Sequence, residues 1–373
     1  MTRTPLTLAM LAVLAACGDG QPLFDVEDAT DGTETDIPFQ DVEPDDVDEP
    51  EDVLNAGTIA PPLRGVLSDR GDIVRVEAPN EIGGGVTSLF NYSGDGDVFV
   101  IDGIAFDGLN EYERFAALPQ IGTVAVYQGD LQVTDTLSGN QIDQIVPYFA
   151  LYDVSDVIVG EGEDDQAFRT SFAVVRTGGY GDYGFGTFAY QRAGDFTVPT
   201  TGQATFNGTY AGLRVSDTFS TSDLPVRDIL TSADINIDID FDDFNGTPGI
   251  KGVLSNRQAY NEFGSAIETN RNIDASLGST NAVQLPNLPF IIREGGTTIS
   301  ENGEIGGNLS NTIIDRTGAI RVYETGTYAG IIAGDLTDAA DGGEIVGVIV
   351  IESEDSRFQG VNFQETGGFI ATR

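Results

Sequence analysis

The feature that most constrains this chain of 373 residues is an alternation of apolar and polar side chains with a period of two. It is clearest at residues 235–242, where Ile235, Ile237 and Ile239 alternate with Asn and Asp. Successive side chains of a β-strand point to opposite faces of the sheet, so this segment predicts a strand with one buried face. No segment sustains the 3.6-residue period of a helix over several turns, although residues 111–118 are compatible with a short helical turn.

Turn signals such as Asn245-Gly246 and Asn302-Gly303 separate many such runs. A connector rich in Gly, Pro and Thr at 194–202 divides them into two regions. The sequence therefore predicts an all-β fold, with a β-rich N-terminal domain at 58–200 and a second domain at 201–373. About eight candidate strands in the second region fit an eight-stranded antiparallel β-barrel filled by side chains.

The second region repeats one short motif. Gly208-Thr209-Tyr210-Ala211-Gly212 recurs as Gly326-Thr327-Tyr328-Ala329-Gly330, and each copy leads into apolar residues. Glycine within a strand allows the sharp bending that a small closed barrel needs. The tyrosine between two glycines can cover the space that they leave. The repeat therefore supports the prediction of a barrel.

The charge of the chain excludes several functions. It carries 60 Asp and Glu against 18 Lys and Arg, a formal net charge of −42, with no His and one Cys. Such a surface repels nucleic acid. Catalysis and zinc or copper binding that depend on His are excluded, and one Cys allows no internal disulfide. No pair of carboxylates stands out as catalytic, so we expect a protein that is not an enzyme and has no cofactor.

The N-terminus has the pattern of an exported lipoprotein. An apolar run at 6–16 is too short to span a membrane and fits a signal peptide at 1–16. The run ends Leu14-Ala15-Ala16-Cys17, which resembles a bacterial lipobox and predicts lipidation of Cys17. The alternative is an ordinary signal peptide followed by an incidental Cys. Gly18 after the Cys, by resemblance to enteric lipoproteins, favours transport to the outer membrane.

The lipidated Cys and an acidic tether would occupy residues 17–57. Residues 18–52 contain 15 Asp and Glu and no Lys or Arg. Low hydrophobicity with charge of one sign predicts a disordered spacer. A specific acidic interaction tail is the alternative. The rest of the chain still has 45 acidic residues against 17 basic ones, so the folded part is acidic too.

Three segments carry a resemblance to a known family. They are residues 202–212, residues 344–350, and the terminal Glu365-Thr366-Gly367-Gly368-Phe369-Ile370-Ala371-Thr372-Arg373. They resemble the first and last strand motifs of the barrel domain of transferrin-binding protein B and related surface lipoproteins. Phe206 stands where the family motif has Tyr, and Ile370 where it has Gly.

The resemblance implies that 201–373 is the barrel domain and that 58–200 corresponds to a handle-like domain. It also implies an outer-membrane lipoprotein, displayed at the cell surface, that binds a protein or solute ligand as a nutrient or iron-acquisition receptor would. An outer-membrane translocon or a TonB-dependent transporter would be a further partner. No ligand-binding residue of the family is carried over. A structural or adhesive envelope protein, assisted by calcium, is the alternative.

Two segments supply candidate binding residues. Residues 176–188 alternate glycine with aromatics, and Tyr180, Tyr183 and Phe185 are candidates for contacting a partner. Packing of these aromatics over glycines within a strand pair is the alternative. Asp95 and Asp97 in a Gly-Asp-Gly-Asp sequence are candidate calcium ligands, although hairpin turns also favour this composition.

Overall fold

The computed structural model describes most of the chain after residue 71: residues 72–78, 84–85, 89–93, 97–102, 110–134, 138–143, 147–160, 166–176, 183–217, 228–242, 248–267, 285–291, 299–314, 318–354 and 361–373. The predicted signal peptide (1–16) and the tether (17–57) with Cys17 lie outside these residues. The candidate residues Asp95 and Tyr180 also lie outside them.

The described residues form strands and turns, with no helix among them. In chain order the strands are β1 (Ile73–Val76), β2 (Leu89–Ser93), β3 (Val98–Asp102), β4 (Asn110–Arg114), β5 (Gln120–Ile121), β6 (Val124–Gly129), β7 (Gln132–Thr134), β8 (Gln141–Asp143), β9 (Phe149–Val154), β10 (Ile158–Val159), β11 (Ala167–Phe168), β12 (Thr170–Arg176), β13 (Gly186–Arg192), β14 (Phe196–Thr197), β15 (Gln203–Ser216), β16 (Asp228–Asp240), β17 (Gly249–Asn261), β18 (Ala266–Ile267), β19 (Leu288–Pro289), β20 (Glu304–Ile314), β21 (Ile320–Asp335), β22 (Glu344–Glu354) and β23 (Asn362–Thr372).

Nine strands of the N-terminal region form one sheet, which we call the N-terminal sheet. Its order is β1-β13-β12-β9-β6-β4-β3-β2, with β5 beside β6, and its pairs are antiparallel. The helical turn expected at 111–118 is wrong. Tyr112 is buried between the exposed Glu111 and Glu113, so the local period is two and the segment begins as β4.

The second region forms the barrel. The antiparallel path β20-β21-β22-β23-β15-β16-β17 supplies seven strands. The short β19 closes the ring. On one side Leu288 pairs with Leu254, and on the other Phe290 bridges to Leu309, with the Ile291 N–H donating to the Asn308 carbonyl at 2.7 Å. The prediction of an all-β fold with an eight-stranded antiparallel barrel is confirmed.

Most of the barrel interior is apolar. Its largest cluster contains side chains from all eight strands, including Phe206, Ile237 and Phe369. The two tyrosines of the repeated motif point into the barrel. Tyr210 covers Gly367, and the ring of Tyr328 covers Gly307, so in each case a side chain at the glycine would collide with the ring. Glycine and tyrosine together fill the narrow interior.

Four charged side chains lie inside one end of the barrel, and we call them the ionic cluster: Arg214, Arg257, Glu324 and Glu365. Arg257, only 1% exposed, donates from Nη1 and Nη2 to both oxygens of Glu324, at 2.5 and 3.0 Å. Glu365 Oε2 lies 3.5 Å from Arg214 Nε and 3.7 Å from Arg257 Nη2. Burial alone would raise the pKa of Glu324, but the charges of Arg257 and Arg214, together with hydrogen bonds, hold that pKa below its ordinary value.

Neutral groups from the other strands complete the surroundings of the ionic cluster: Tyr210 (β15), Thr231 (β16), the Pro286 carbonyl just before β19, Asn311 (β20) and Ser353 (β22). Two of these, Tyr210 Oη and Thr231 Oγ1, each donate to Glu365 at 2.9 Å. Seven strands of the ring and the segment just before β19 therefore contribute to this polar group. A buried ion pair is tolerated only with such satisfaction of its remaining donors and acceptors.

A β-bulge in β17 brings Arg257 into the barrel. Between the flanking pairs, β17 has two residues where β16 has one. Asn256, at the bulge, has a φ of 52°, in the left-handed region that Asn tolerates better than most residues. Before the bulge, Ile250 and Leu254 point inward. An uninterrupted alternation from these residues would place Arg257 on the outside.

The N-terminal sheet packs against the outside of the barrel, and we call this contact the sheet–barrel interface. Its centre is one apolar cluster that includes Phe149, Leu151, Phe172, Val174, Phe188 and Tyr190 from the sheet and Ala211, Leu213, Ala329, Ile331, Val346 and Val348 from the barrel. The ring of Phe172 lies directly on Gly368, where a Cβ would overlap it. This close approach explains one glycine of the terminal motif.

Polar contacts surround the apolar centre of the interface. Arg75 pairs with Glu304 at 2.6 Å, and Arg192 donates to the Ile332 carbonyl at 2.8 Å. The connector also joins the barrel, because β14 pairs in parallel with the end of β21. The two regions therefore contact each other through apolar, charged and backbone interactions.

Substitution of Gly368 by Ala should weaken the interface. The added methyl group has no space beneath the ring of Phe172, and overpacking of this kind costs roughly 1–3 kcal/mol of unfolding free energy. Urea denaturation of Gly368→Ala, Phe172→Ala and the double variant measures this. We expect Gly368→Ala to cost less in the Phe172→Ala background, because the methyl group then enters vacated space. An equal cost in both backgrounds would contradict this packing.

Substitution of Arg257 by Met should be severely destabilising. It keeps an unbranched apolar stem but removes the guanidinium, which leaves Glu324 and Glu365 buried without compensation, a loss on the order of 3–5 kcal/mol. The matched control is Lys251→Met. Lys251 is 63% exposed and pairs with Asp238, so its removal should cost less than about 1 kcal/mol. Comparable costs for both variants would show that the buried cluster has no special role.

Candidate partner-binding surface

The glycine-aromatic segment is partly built into the N-terminal sheet. Tyr183 is half-buried, and Phe185 packs against the apolar cluster on the face of the sheet away from the barrel. Gly184 has a φ of 71°, and a Cβ at Gly186 would overlap the Val175 carbonyl. Backbone geometry therefore requires these two glycines. Contact of Tyr183 and Phe185 with a partner stays a prediction.

Asp97 takes part in an organised polar group. Its carboxylate accepts two hydrogen bonds from Arg114, each 2.9 Å, and one each from Tyr127 at 2.8 Å and Tyr92 at 3.2 Å. The guanidinium of Arg114 also lies 4.7 Å from the ring centre of Tyr127. Burial, with the nearby Asp97 carboxylate contributing, raises the pKa of the Tyr92 hydroxyl above its ordinary value. Both tyrosines thus stay protonated donors to Asp97.

These contacts bear on the calcium candidate. Protein donors already approach both oxygens of Asp97, so calcium would have to compete with a bidentate arginine. Within the described ranges, no group of three or more His, Cys, Asp or Glu is placed to hold a metal ion. Asp95 lies outside those ranges, and its role as a calcium ligand stays a prediction.

Exposed apolar side chains occur on a hairpin that extends beyond the barrel. We define the projecting hairpin as residues 312–314 of β20 and 318–323 before and within β21. These residues pair with each other, as in Thr312 with Val322, whereas the pairing of β21 with β22 begins at Glu324. Ile320 is 74% exposed and Val322 is 61% exposed. Because residues two apart lie on one face, these two side chains form a small apolar surface.

Sequence reasoning missed the projecting hairpin. Ile320 and Val322 have the composition of an ordinary half-buried strand, and nothing local shows that the neighbouring strand ends earlier. The difference appears only in the structure, where β21 has 16 residues and its neighbour β22 has 11. Phe263, 70% exposed in the turn after β17, lies at the same end of the barrel, as the antiparallel order requires.

No helix in the described part of the chain is long and apolar enough to cross a membrane. No protein-family model matches this sequence, and no curated protein matches it.

Solved structures of transferrin-binding protein B are similar to this chain. A double mutant of the vaccine antigen Transferrin Binding Protein B from Haemophilus parasuis Hp5 is 12% identical, with a TM-score of 0.33, over 76% of this chain and 42% of that chain. A single mutant of the same antigen is 10% identical, with a TM-score of 0.29, over 76% and 51%. Intact Ap-TbpB (N and C lobes) is 10% identical, with a TM-score of 0.28, over 76% and 51%.

These structures are of the protein whose barrel domain the strand motifs resemble. The chain spans about half the length of the structures that it matches.

Proposed function

We propose that this protein is a lipid-anchored outer-membrane protein, displayed at the cell surface, that binds a protein or solute ligand without catalysing a reaction. The observation that carries this proposal is the exposed apolar surface of Ile320 and Val322 on the projecting hairpin. Exposed apolar side chains that lie together on one face of a soluble protein are typical of a contact site for a partner. The resemblance of the strand motifs to a family of binding lipoproteins also favours this function.

The rigidity of the scaffold supports a role in binding. The projecting hairpin continues two strands of a closed barrel, and the barrel is braced by the ionic cluster and the N-terminal sheet. A surface held in one conformation loses little entropy when a partner docks. Since the body of the chain is acidic, we expect the partner to present a cationic or uncharged surface around an apolar patch.

The buried carboxylates support a role without catalysis. Glu324 is held by Arg257, Glu304 by Arg75, and Glu344 by two hydroxyl groups. Each is thus engaged in a structural contact. The absence of His from the sequence removes the side chain that most often serves as a general acid or base near neutral pH.

Binding through the projecting hairpin predicts a specific loss of affinity. The double variant Ile320→Ser/Val322→Ser of the full chain should bind roughly 30–1,000-fold more weakly, since central apolar contacts contribute about 1–2 kcal/mol each. The probe is the protein fraction of the cell's surroundings, cross-linked to immobilised protein over a concentration series. Leu131→Ser is the matched control, because Leu131 is 53% exposed but lies in the N-terminal region, between β6 and β7.

The outcomes separate the alternatives. If Tyr180→Ala/Tyr183→Ala abolishes the complex and the hairpin variant does not, the glycine-aromatic segment is the binding surface. Concentration-dependent self-association that the hairpin variant abolishes would favour the adhesive function. Absence of any saturable complex would contradict the receptor proposal.

Lipid anchoring is tested separately. Cys17→Ala removes the thiol that would be acylated, and several acyl chains hold a protein on a membrane essentially permanently. We therefore expect this variant to leave the membrane fraction after cell lysis. Gly18→Asp is the control, because it keeps the thiol and changes only the residue that favours transport to the outer membrane. Retention of Cys17→Ala on membranes would show that Cys17 is not the anchor.

A further inference from the structure

Two buried carboxylates meet at one edge of the sheet–barrel interface. In β9, the row of side chains that faces the barrel runs Phe149, Leu151 and then Asp153, so a carboxylate occupies a position where an apolar residue fits the pattern. Asp153 is 7% exposed. Glu344, the first residue of β22, is 3% exposed and reaches from the barrel toward the sheet.

The donors to these carboxylates are neutral. Ser155 Oγ and Thr170 Oγ1 of the N-terminal unit donate to the two oxygens of Glu344, at 2.6 and 2.8 Å. Asp153 accepts from Thr123 Oγ1 at 2.7 Å and from the Val154 N–H at 3.0 Å. Hydroxyl groups therefore join the barrel to the sheet at this edge, whereas elsewhere in the interface the ion pair between Arg75 and Glu304 joins them.

The other charged groups near this pair are Asp156, Arg169, Asp341 and Arg373, which follows Thr372, the strand partner of Glu344. Among the described residues, Arg169 is the cation within ion-pair distance, and it lies closer to Asp341 (2.6 Å) than to Glu344 (3.9 Å). The guanidinium of Arg373 is engaged by the Leu336 carbonyl. Negative charge is therefore in excess here, because Arg169 is the one nearby arginine that is available to four carboxylates: Asp153, Asp156, Asp341 and Glu344.

Both carboxyl groups hold their protons more tightly than usual. Burial raises the pKa of Asp153 to about 7, with the charges of Asp156 and Glu344 adding to the effect and the bonds from Thr123 and Val154 opposing it. Burial likewise raises the pKa of Glu344 against the opposing contacts of Ser155, Thr170 and Arg169. A neutral carboxyl group suits this site better than a carboxylate.

We propose that Asp153 and Glu344 make the sheet–barrel interface proton-sensitive, so that the sheet and the barrel dock most tightly in acid and loosen as the pH rises toward neutrality. A group whose pKa is raised in the docked protein contributes stability that is complete below its ordinary pKa. That contribution is lost as the pH rises through the raised value, here from about 4 to about 7 for Asp153. The device acts on the scaffold and does not depend on the identity of any ligand.

Hydrogen–deuterium exchange of the full chain between pH of about 5 and about 8 tests the proposal. Rates corrected for intrinsic exchange should show faster opening at higher pH in peptides that contain 149–157 and 344–350, relative to β16, which lies away from this edge. For each proton that is released when the sheet separates from the barrel, the equilibrium constant for that opening rises by up to about tenfold per pH unit. Asp153→Asn should remove most of this dependence and should open less than the wild type at pH of about 8.

The matched control is Glu304→Gln. Glu304 is also buried at the interface, but it pairs with Arg75 at 2.6 Å, so its neutralisation should loosen the interface at every pH without flattening the profile. Glu344→Gln should flatten the profile in the same direction as Asp153→Asn. A wild-type profile without pH dependence, or an Asp153→Asn profile as steep as that of the wild type, would overturn the proposal.

Discussion

Seven strands of the barrel, and the segment just before β19, each supply a group to the ionic cluster or to the hydrogen bonds around it. Loss of one charged member would leave its partner buried without compensation. The apolar part of the interior would tolerate exchange of one aliphatic side chain for another. The ionic cluster tolerates no such exchange, because each of its members depends on groups that other strands deliver.

The strand register that fills the barrel interior also decides which residues lie on its outer face. Once the register places Gly368 and the small side chains of Ala211 and Ala329 on the same outer face, that face is flat enough for the N-terminal sheet to approach. Aromatic rings of the sheet, above all Phe172, then fill the space that small residues leave. The polar edges of the contact differ in kind: Arg75 and Glu304 form an ion pair, whereas Asp153 and Glu344 depend on hydroxyl groups and on protons.

Local alternation predicted the strands of the barrel well, because the interior imposes a period of two on each of them. The closing strand β19 was beyond such reasoning, since two residues, Leu288 and Pro289, give no periodic signal. The inward position of Arg257 depends on the bulge at Asn256, which a sequence shows only as an Asn among strand residues. Among the candidate partner contacts, Phe185 could be proposed from the alternation of glycine and aromatic residues in the sequence. The exposure of Ile320 could not, because it depends on where the neighbouring strand stops.

The short strand β14 bears on how freely the two regions could be exchanged as modules. It lies within the connector at 194–202, yet it pairs with Gly334 and Asp335 of β21. Phe196 sits beneath the guanidinium of Arg192 and packs against the barrel core. Recombination at this point would separate the barrel from a strand that it uses and from the arginine that covers it. The connector is thus a structural part of both regions. The barrel could not be transplanted into another protein without β14 and the arginine that covers it.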